Sequence, residues 1–199
     1  MIEIDGHRVF NPAYLWYLES DARDEWQKPE QVTAALGLKR GDSIADIGAG
    51  GGYFTEKFSR KVGQDGHVYA TDVQDVLIAR LKNRVAEQDL RNVTVIKAEF
   101  ESPMLSAGSV DIAFFCSVYK EIDGRIEYMR KVRQALKRGG RVAIIEFDKE
   151  REVAGPEFRD RMSDEQVTAE LIEAGFYLKE RFDFLPREYF LVFGIAGEG

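Results

Sequence analysis

The 199-residue chain has one cysteine and two histidines. A lone thiol, Cys116, has no partner for an internal disulfide, and this fits a reducing, cytoplasmic setting. Two histidines, His7 and His67, and one cysteine leave little from which to build a zinc site, so no metal is expected. No apolar run approaches the roughly 20 residues that span a bilayer. The opening residues, MIEIDGHRVF, lack the basic-then-apolar order of a signal peptide. Excess positive charge is missing too. A net charge of −7 argues against a nucleic-acid partner, because phosphate backbones are held mainly by clustered Lys and Arg. One local basic group remains, formed by Arg130, Lys131, Arg133, Lys137, Arg138 and Arg141. A solvated helix face followed by a turn accounts for it. Repeats, low-complexity tracts and long linkers are absent.

What is present is ordinary globular material, 44% hydrophobic and 32% charged, of a length that suits one domain over residues 1–199. Short β-branched runs alternate with amphipathic stretches, the pattern of βαβ units and a mostly parallel sheet. The expected strands are Ser43–Ile47, His67–Thr71, Val93–Lys97, Val110–Phe115 and Arg141–Phe147. Helices are expected over Tyr53–Lys61, Asp75–Glu87 and Gly124–Lys137, the last stopped by Lys137-Arg138-Gly139-Gly140. Ser163-Asp-Glu-Gln166 reads as a capping box that opens another helix, ended by Gly175. Two strand-like runs then come in succession, Phe176–Leu185 and Glu188–Ile195, with a turn at Pro186-Arg187. They are too close for a crossover helix and must pair antiparallel. The expected fold is therefore α/β, Rossmann-like and doubly wound, a mostly parallel seven-stranded sheet ending in an antiparallel hairpin. Residues 1–40 read as helical, with Asn11-Pro12 opening one helix and Pro29 another. Their aromatic residues, Tyr14, Trp16, Tyr17 and Trp26, either cover a sheet edge or cap a ligand site.

The strongest local signal is the stretch Asp46-Ile-Gly48-Ala49-Gly50-Gly-Gly52-Tyr53. A buried strand runs into glycines and then a helix, where a backbone must turn sharply or meet a ligand closely. Twenty residues past Gly52, at a strand end, stands Asp72, whose carboxylate can accept from both ribose hydroxyls of an adenosine. The dinucleotide fingerprint wants a third glycine three residues after the second, and Tyr53 stands there instead. Asp46 also places a carboxylate where a pyrophosphate would not welcome one. S-adenosyl-L-methionine carries a sulfonium, an ammonium and no phosphate, and the loop favours it over NAD.

With these residues the chain resembles the class I S-adenosylmethionine-dependent methyltransferases. The likeness is nearest to the small-molecule, type 11 branch, over roughly residues 25–195. Leu136-Lys-Arg-Gly-Gly140 and the closing hairpin belong to the likeness. The segments Trp26-Gln-Lys-Pro29, Gly175-Phe176 and Phe184–Phe190 resemble a compact bacterial subgroup. The resemblance implies that Asp46, Gly48, Ala49, Gly50, Gly52 and Tyr53 cradle the methionine end of the cofactor. It implies Asp72 at the ribose, Val73, Glu99 and Phe100 around the adenine, and Cys116 and Ser117 facing donor and substrate. Tyr119 and Glu121, just past the fourth strand, are the catalytic candidates, with Tyr119 expected nearest the transferred methyl. Where the subgroup carries two histidines after this tyrosine, the chain has Lys120 and Glu121. Capping of the next helix is the ordinary alternative for Glu121. Methyl transfer to a small molecule is the expected activity. The competing expectation is a cofactor-binding protein of the same fold with lost or altered chemistry. The oligomeric state stays open.

Overall fold

The computed structural model describes residues 1–20, 22–149, 151 and 155–197. Two short strands, β1 (Ile2–Ile4) and β2 (His7–Val9), open the chain as an antiparallel hairpin. Asp5 and Gly6 turn it with φ values of 51° and 83°, the left-handed pair that a two-residue Asp-Gly turn supplies. This corrects the all-helical reading of the first 40 residues. The turn chemistry outweighed the short length of the flanking runs. Asn11 does act as a cap, but the turn it opens, Pro12–Tyr14, is a 3₁₀ helix. It leads into α1 (Leu15–Leu18), α2 (Arg23–Gln27) and α3 (Pro29–Ala35).

The core alternates as expected. It runs β3 (Ser43–Ile47), α4 (Tyr53–Val62), β4 (His67–Asp72), α5 (Asp75–Glu87), β5 (Val93–Lys97), β6 (Val110–Cys116) and α6 (Arg125–Ala135). Then come β7 (Leu136–Phe147), α7 (Asp164–Glu173), β8 (Phe176–Phe182) and β9 (Glu188–Ile195). Ser163 caps α7, its hydroxyl accepting the amide of Gln166. Lys137–Gly140 does not form a loop between helix and strand. These residues are already the start of β7, and a register shift between Val110 and Ile112 absorbs the change.

Seven strands form one sheet in the order β5-β4-β3-β6-β7-β9-β8, parallel through β7 and antiparallel from there on. Strand alternation sends two sets of side chains to opposite faces. On one face Ala45, Ala113, Phe115, Val142 and Ile144 pack with Met129, Val132, Val167 and Leu171 of α6 and α7. On the other, Ile44, Ile112, Phe114 and Ile145 pack with Val32, Leu36, Phe54, Phe58 and Val62 of α3 and α4. Phe58 is fully buried, 5.5 Å from Phe54 and 4.9 Å from Phe114 between ring centroids, so truncation to alanine costs about 3–5 kcal/mol.

The chain winds outward from β3 to β5 and then returns to place β6 on the other side of β3. That reversal opens a crevice at the carboxyl ends of β3 and β6, the place where open α/β sheets bind ligands. Four of the six residues of the basic group are engaged within the chain: Arg130 pairs with Glu127, Lys137 with Asp111, and Lys131 and Arg141 donate to backbone carbonyls.

Candidate active site

The glycine loop lies at the mouth of this crevice. Gly48 has φ +69°, and a Cβ there would run into the side chain of Val118. Gly50, at φ +57°, faces open space, with nothing within 4 Å of an added Cβ. A loop residue that needs no side chain for packing and faces emptiness fits close approach by a ligand. Asp46, at the end of β3, is 3% exposed and accepts a hydrogen bond from Thr55 Oγ1 at 2.6 Å. Burial raises its carboxyl to about 6, against the opposing pull of that hydroxyl and of Arg23.

Asp72 ends β4 and is 6% exposed. Its Oδ2 accepts the amide of Gly50 at 3.0 Å and its Oδ1 the amide of Gln74 at 2.9 Å. Burial moves its pKa upward, partly countered by these amides. Val73 is next in the chain, its carbonyl held by Lys97. Glu99 is exposed and pairs through its backbone with Ser102. Phe100 lies flat against His7 of β2, ring centroids 3.9 Å apart. His7 also meets Asp123 at 2.7 Å. The hairpin missed in the sequence therefore lies against this rim.

Three carboxylates gather where β6, β7 and β9 reach the same edge. Glu188 is fully buried, accepting from Gln27 Nε2 at 2.5 Å and from Ser117 Oγ at 3.2 Å. Burial raises it to about 7. Glu146, 1% exposed, meets Lys120 Nζ at 3.3 Å. Glu121 accepts the amide of Phe10 at 2.9 Å and stands 3.7 Å from Lys120; burial raises it to about 7. Cys116 ends β6, 3.6 Å from both Arg23 and Gln27, and burial pushes its thiol up. A thiol shifted that way is no nucleophile. Ser117 turns the chain at φ +58°, a left-handed conformation that re-aims residues 118–121 into the edge.

Tyr119 is placed otherwise than expected. It is fully buried among Phe115, Tyr128 and Met129, and its hydroxyl donates to Glu170 of α7 at 2.9 Å. Glu170 is also gripped at both oxygens by Arg125. The tyrosine hydroxyl is thereby tied to α7, while Lys120, Glu121, Glu146 and Glu188 form a largely buried charged group at the edge of the sheet.

Sequence reasoning also missed Arg23. Its guanidinium is 7% exposed and lies 4.0 Å from the centre of the Tyr53 ring. It donates to Gln27 Oε1 and to the Leu18 carbonyl. Among the described residues no carboxylate lies within ion-pair distance of it. Tyr53 in turn donates to Asp24. Asp46 and Glu188 act on it only from beyond contact; a buried cation without a direct carboxylate partner is costly, and this one sits beside the glycine loop. The signal in sequence was a single arginine between two aromatic residues, too little to single it out. Glu19 closes the other flank, its carboxylate resting on Gly51 and paired with Arg80 and Arg84.

A reversal-point crevice, a glycine loop tied to an acidic strand end and a closing antiparallel hairpin define a class I, Rossmann-like methyltransferase fold, which takes S-adenosyl-L-methionine. A family model described as a methyltransferase domain matches residues 38–183, and the chain belongs to that family. The ubiquinone/menaquinone biosynthesis C-methyltransferases UbiE of Idiomarina loihiensis and Azotobacter vinelandii are 29% and 28% identical to it over 114 residues. That stretch is 57% of this chain and 45% of each relative, so the chain spans less than half of their length. A solved SAM-dependent methyltransferase from Aquifex aeolicus superposes with a TM-score of 0.90 at 28% identity, over 94% of this chain and all of that one. The cyclase SpnF superposes at 0.73 with 18% identity, over 89% and 85% of the two chains, and shares the fold alone.

Proposed function

We propose that this chain transfers the methyl group of S-adenosyl-L-methionine to a small-molecule acceptor in the cytoplasm. The observation that carries the reading is the pairing of Asp72 with Gly50, which joins the acidic strand end to the glycine loop around one open space. Bound there, the cofactor supplies an electrophilic methyl on a sulfonium.

The residues fit that group. Gly48, Ala49, Gly50 and Gly52 give its methionine end a backbone wall. Arg23, over Tyr53, supplies the cation that the methionine carboxylate lacks in water-free surroundings. Asp46 gives the positive end of the cofactor a nearby carboxylate. Asp72 takes the ribose, with Val73, Glu99 and Phe100 around the adenine. Cys116 and Ser117 form the floor between donor and acceptor. Transfer is a displacement at carbon, so alignment of acceptor, methyl and sulfur does most of the work. Glu121 and Glu188, both held near neutrality by burial, are suited to take a proton from an acceptor that starts protonated. The UbiE relatives are named as C-methyltransferases of ubiquinone/menaquinone biosynthesis, which supports that substrate class.

A second reading keeps the cofactor and changes the chemistry. It is favoured by Tyr119, whose hydroxyl is already engaged by Glu170. Incubation with methyl-labelled donor and a fractionated metabolite extract separates the two. Label in a small product supports transfer, and donor binding without any transfer supports the second reading.

A further inference from the structure

Gln74 stands two residues beyond Asp72, before the first turn of α5, and is 4% exposed. Its Nε2 donates to the carbonyl of Phe10 at 3.1 Å. Its Oε1 is sealed from solvent and has no hydrogen-bond partner among the described residues. An amide carbonyl left so costs about 1–3 kcal/mol. Flipping the amide does not relieve it, because the carbonyl of Phe10 accepts only and would then face another acceptor. The nitrogen is therefore committed to Phe10, and the oxygen waits for a donor.

Phe10 is held from the other side as well. Its own amide goes to Glu121 Oε2 at 2.9 Å. One residue of the N-terminal segment is thus fastened both to the end of β4 and to the turn after β6. Those two strands flank β3 and its glycine loop, so Phe10 lies across the crevice mouth like a strap. The stack of His7 on Phe100 extends the same covering to the neighbouring rim. The backbone amide of Gln74 already bonds Asp72 Oδ1, so the residue adjoins the carboxylate assigned to the ribose. A ribose offers two hydroxyl donors there, one for Asp72 and one left for Gln74.

We infer that Gln74 reads the donor: once the N-terminal segment parts to admit the cofactor, its Oε1, covered in the ligand-free chain, accepts a ribose hydroxyl beside Asp72, and its nitrogen then keeps Phe10 over the bound cofactor. Donor occupancy and closure of the N-terminal strap are joined through this one side chain. Glu121 acts as the second anchor of the strap. The inference rests on the methyltransferase reading above.

The test uses S-adenosylhomocysteine and its 2′-deoxy and 3′-deoxy analogues, titrated into the full chain and into Gln74→Met. In the unaltered protein, loss of the hydroxyl read by Gln74 weakens binding about 3- to 10-fold. In Gln74→Met the parent ligand is weakened by a similar factor, and one analogue then binds as well as the parent. Ligand-induced protection of residues 2–10 from hydrogen exchange disappears. Gln74→Glu, assayed at a pH high enough to ionise the new carboxyl, retains an acceptor but has no donor for Phe10, so it keeps the deoxy penalty and loses the protection. Deoxy penalties in Gln74→Met equal to those of the unaltered protein overturn the inference alone. Failure of the unaltered protein to bind S-adenosylhomocysteine overturns the methyltransferase reading and this inference together.

Discussion

The carboxylate of Asp72 and the amide of Gly50 meet at 3.0 Å, across 22 residues of sequence. The acidic strand end therefore shapes the glycine loop as well as facing the crevice. Asp72→Asn keeps the size of the side chain and removes its charge. We expect donor affinity to fall by about 1.5–3 kcal/mol, the scale of hydrogen bonds to a charged group, with an intact circular dichroism spectrum. Unchanged affinity in calorimetry would take Asp72 out of the site.

Arg23 gives a prediction that separates two halves of one ligand. Arg23→Met should weaken S-adenosylmethionine by about 1.5–3 kcal/mol, because the methionine carboxylate loses its cation. Methylthioadenosine lacks that carboxylate and should bind both proteins alike. Equal losses for the two ligands in parallel titrations would assign Arg23 a purely structural role.

Tyr119 should matter to folding. Tyr119→Phe deletes the hydroxyl bonded to Glu170, while Arg125 still holds that carboxylate. Chemical denaturation should show a loss of about 0.5–1.5 kcal/mol, and donor affinity should stay unchanged. A drop in turnover at full stability would return the tyrosine to the acceptor.

The buried carboxylates set an unusual pH dependence. Glu121 and Glu188 are raised to about 7 and Asp46 to about 6, in each case chiefly by burial. Between roughly pH 4.5 and 7 the folded chain then binds more protons than the unfolded one, so stability falls as pH rises through that window. Thermal unfolding of the ligand-free protein should give a higher midpoint at pH 5.5 than at pH 8, and Glu188→Gln should narrow the gap. A midpoint that rises with pH would contradict the assignment.

The core of the fold was legible because its signals are local and agree with one another. β5, α5 and β9 fall on their expected residues, each bounded by turn chemistry and carried by one hydrophobic period. The glycine loop and Asp72 could be read because strand, glycines, helix and acidic strand end occur in a fixed order. The N-terminal hairpin was less visible. Its strands have three residues each, and only Asp5-Gly6 marked them. Arg23, Gln74, Glu146 and Glu188 carry no local pattern. Their place at the crevice depends on contacts spanning up to 161 residues, such as Gln27 with Glu188. The partner of Tyr119 was hidden for the same reason. Its distance past β6 was right, but Glu170, which draws its hydroxyl into the core, lies 51 residues away.

The central claim is that the crevice between Asp46, Gly50 and Asp72 accepts a phosphate-free adenosine carrying a methionine. Calorimetric titration of the purified chain with S-adenosylmethionine, S-adenosylhomocysteine and NAD tests it most directly. One-to-one binding of both sulfur ligands and no binding of NAD is expected. Binding of NAD with no heat from either sulfur ligand would contradict it.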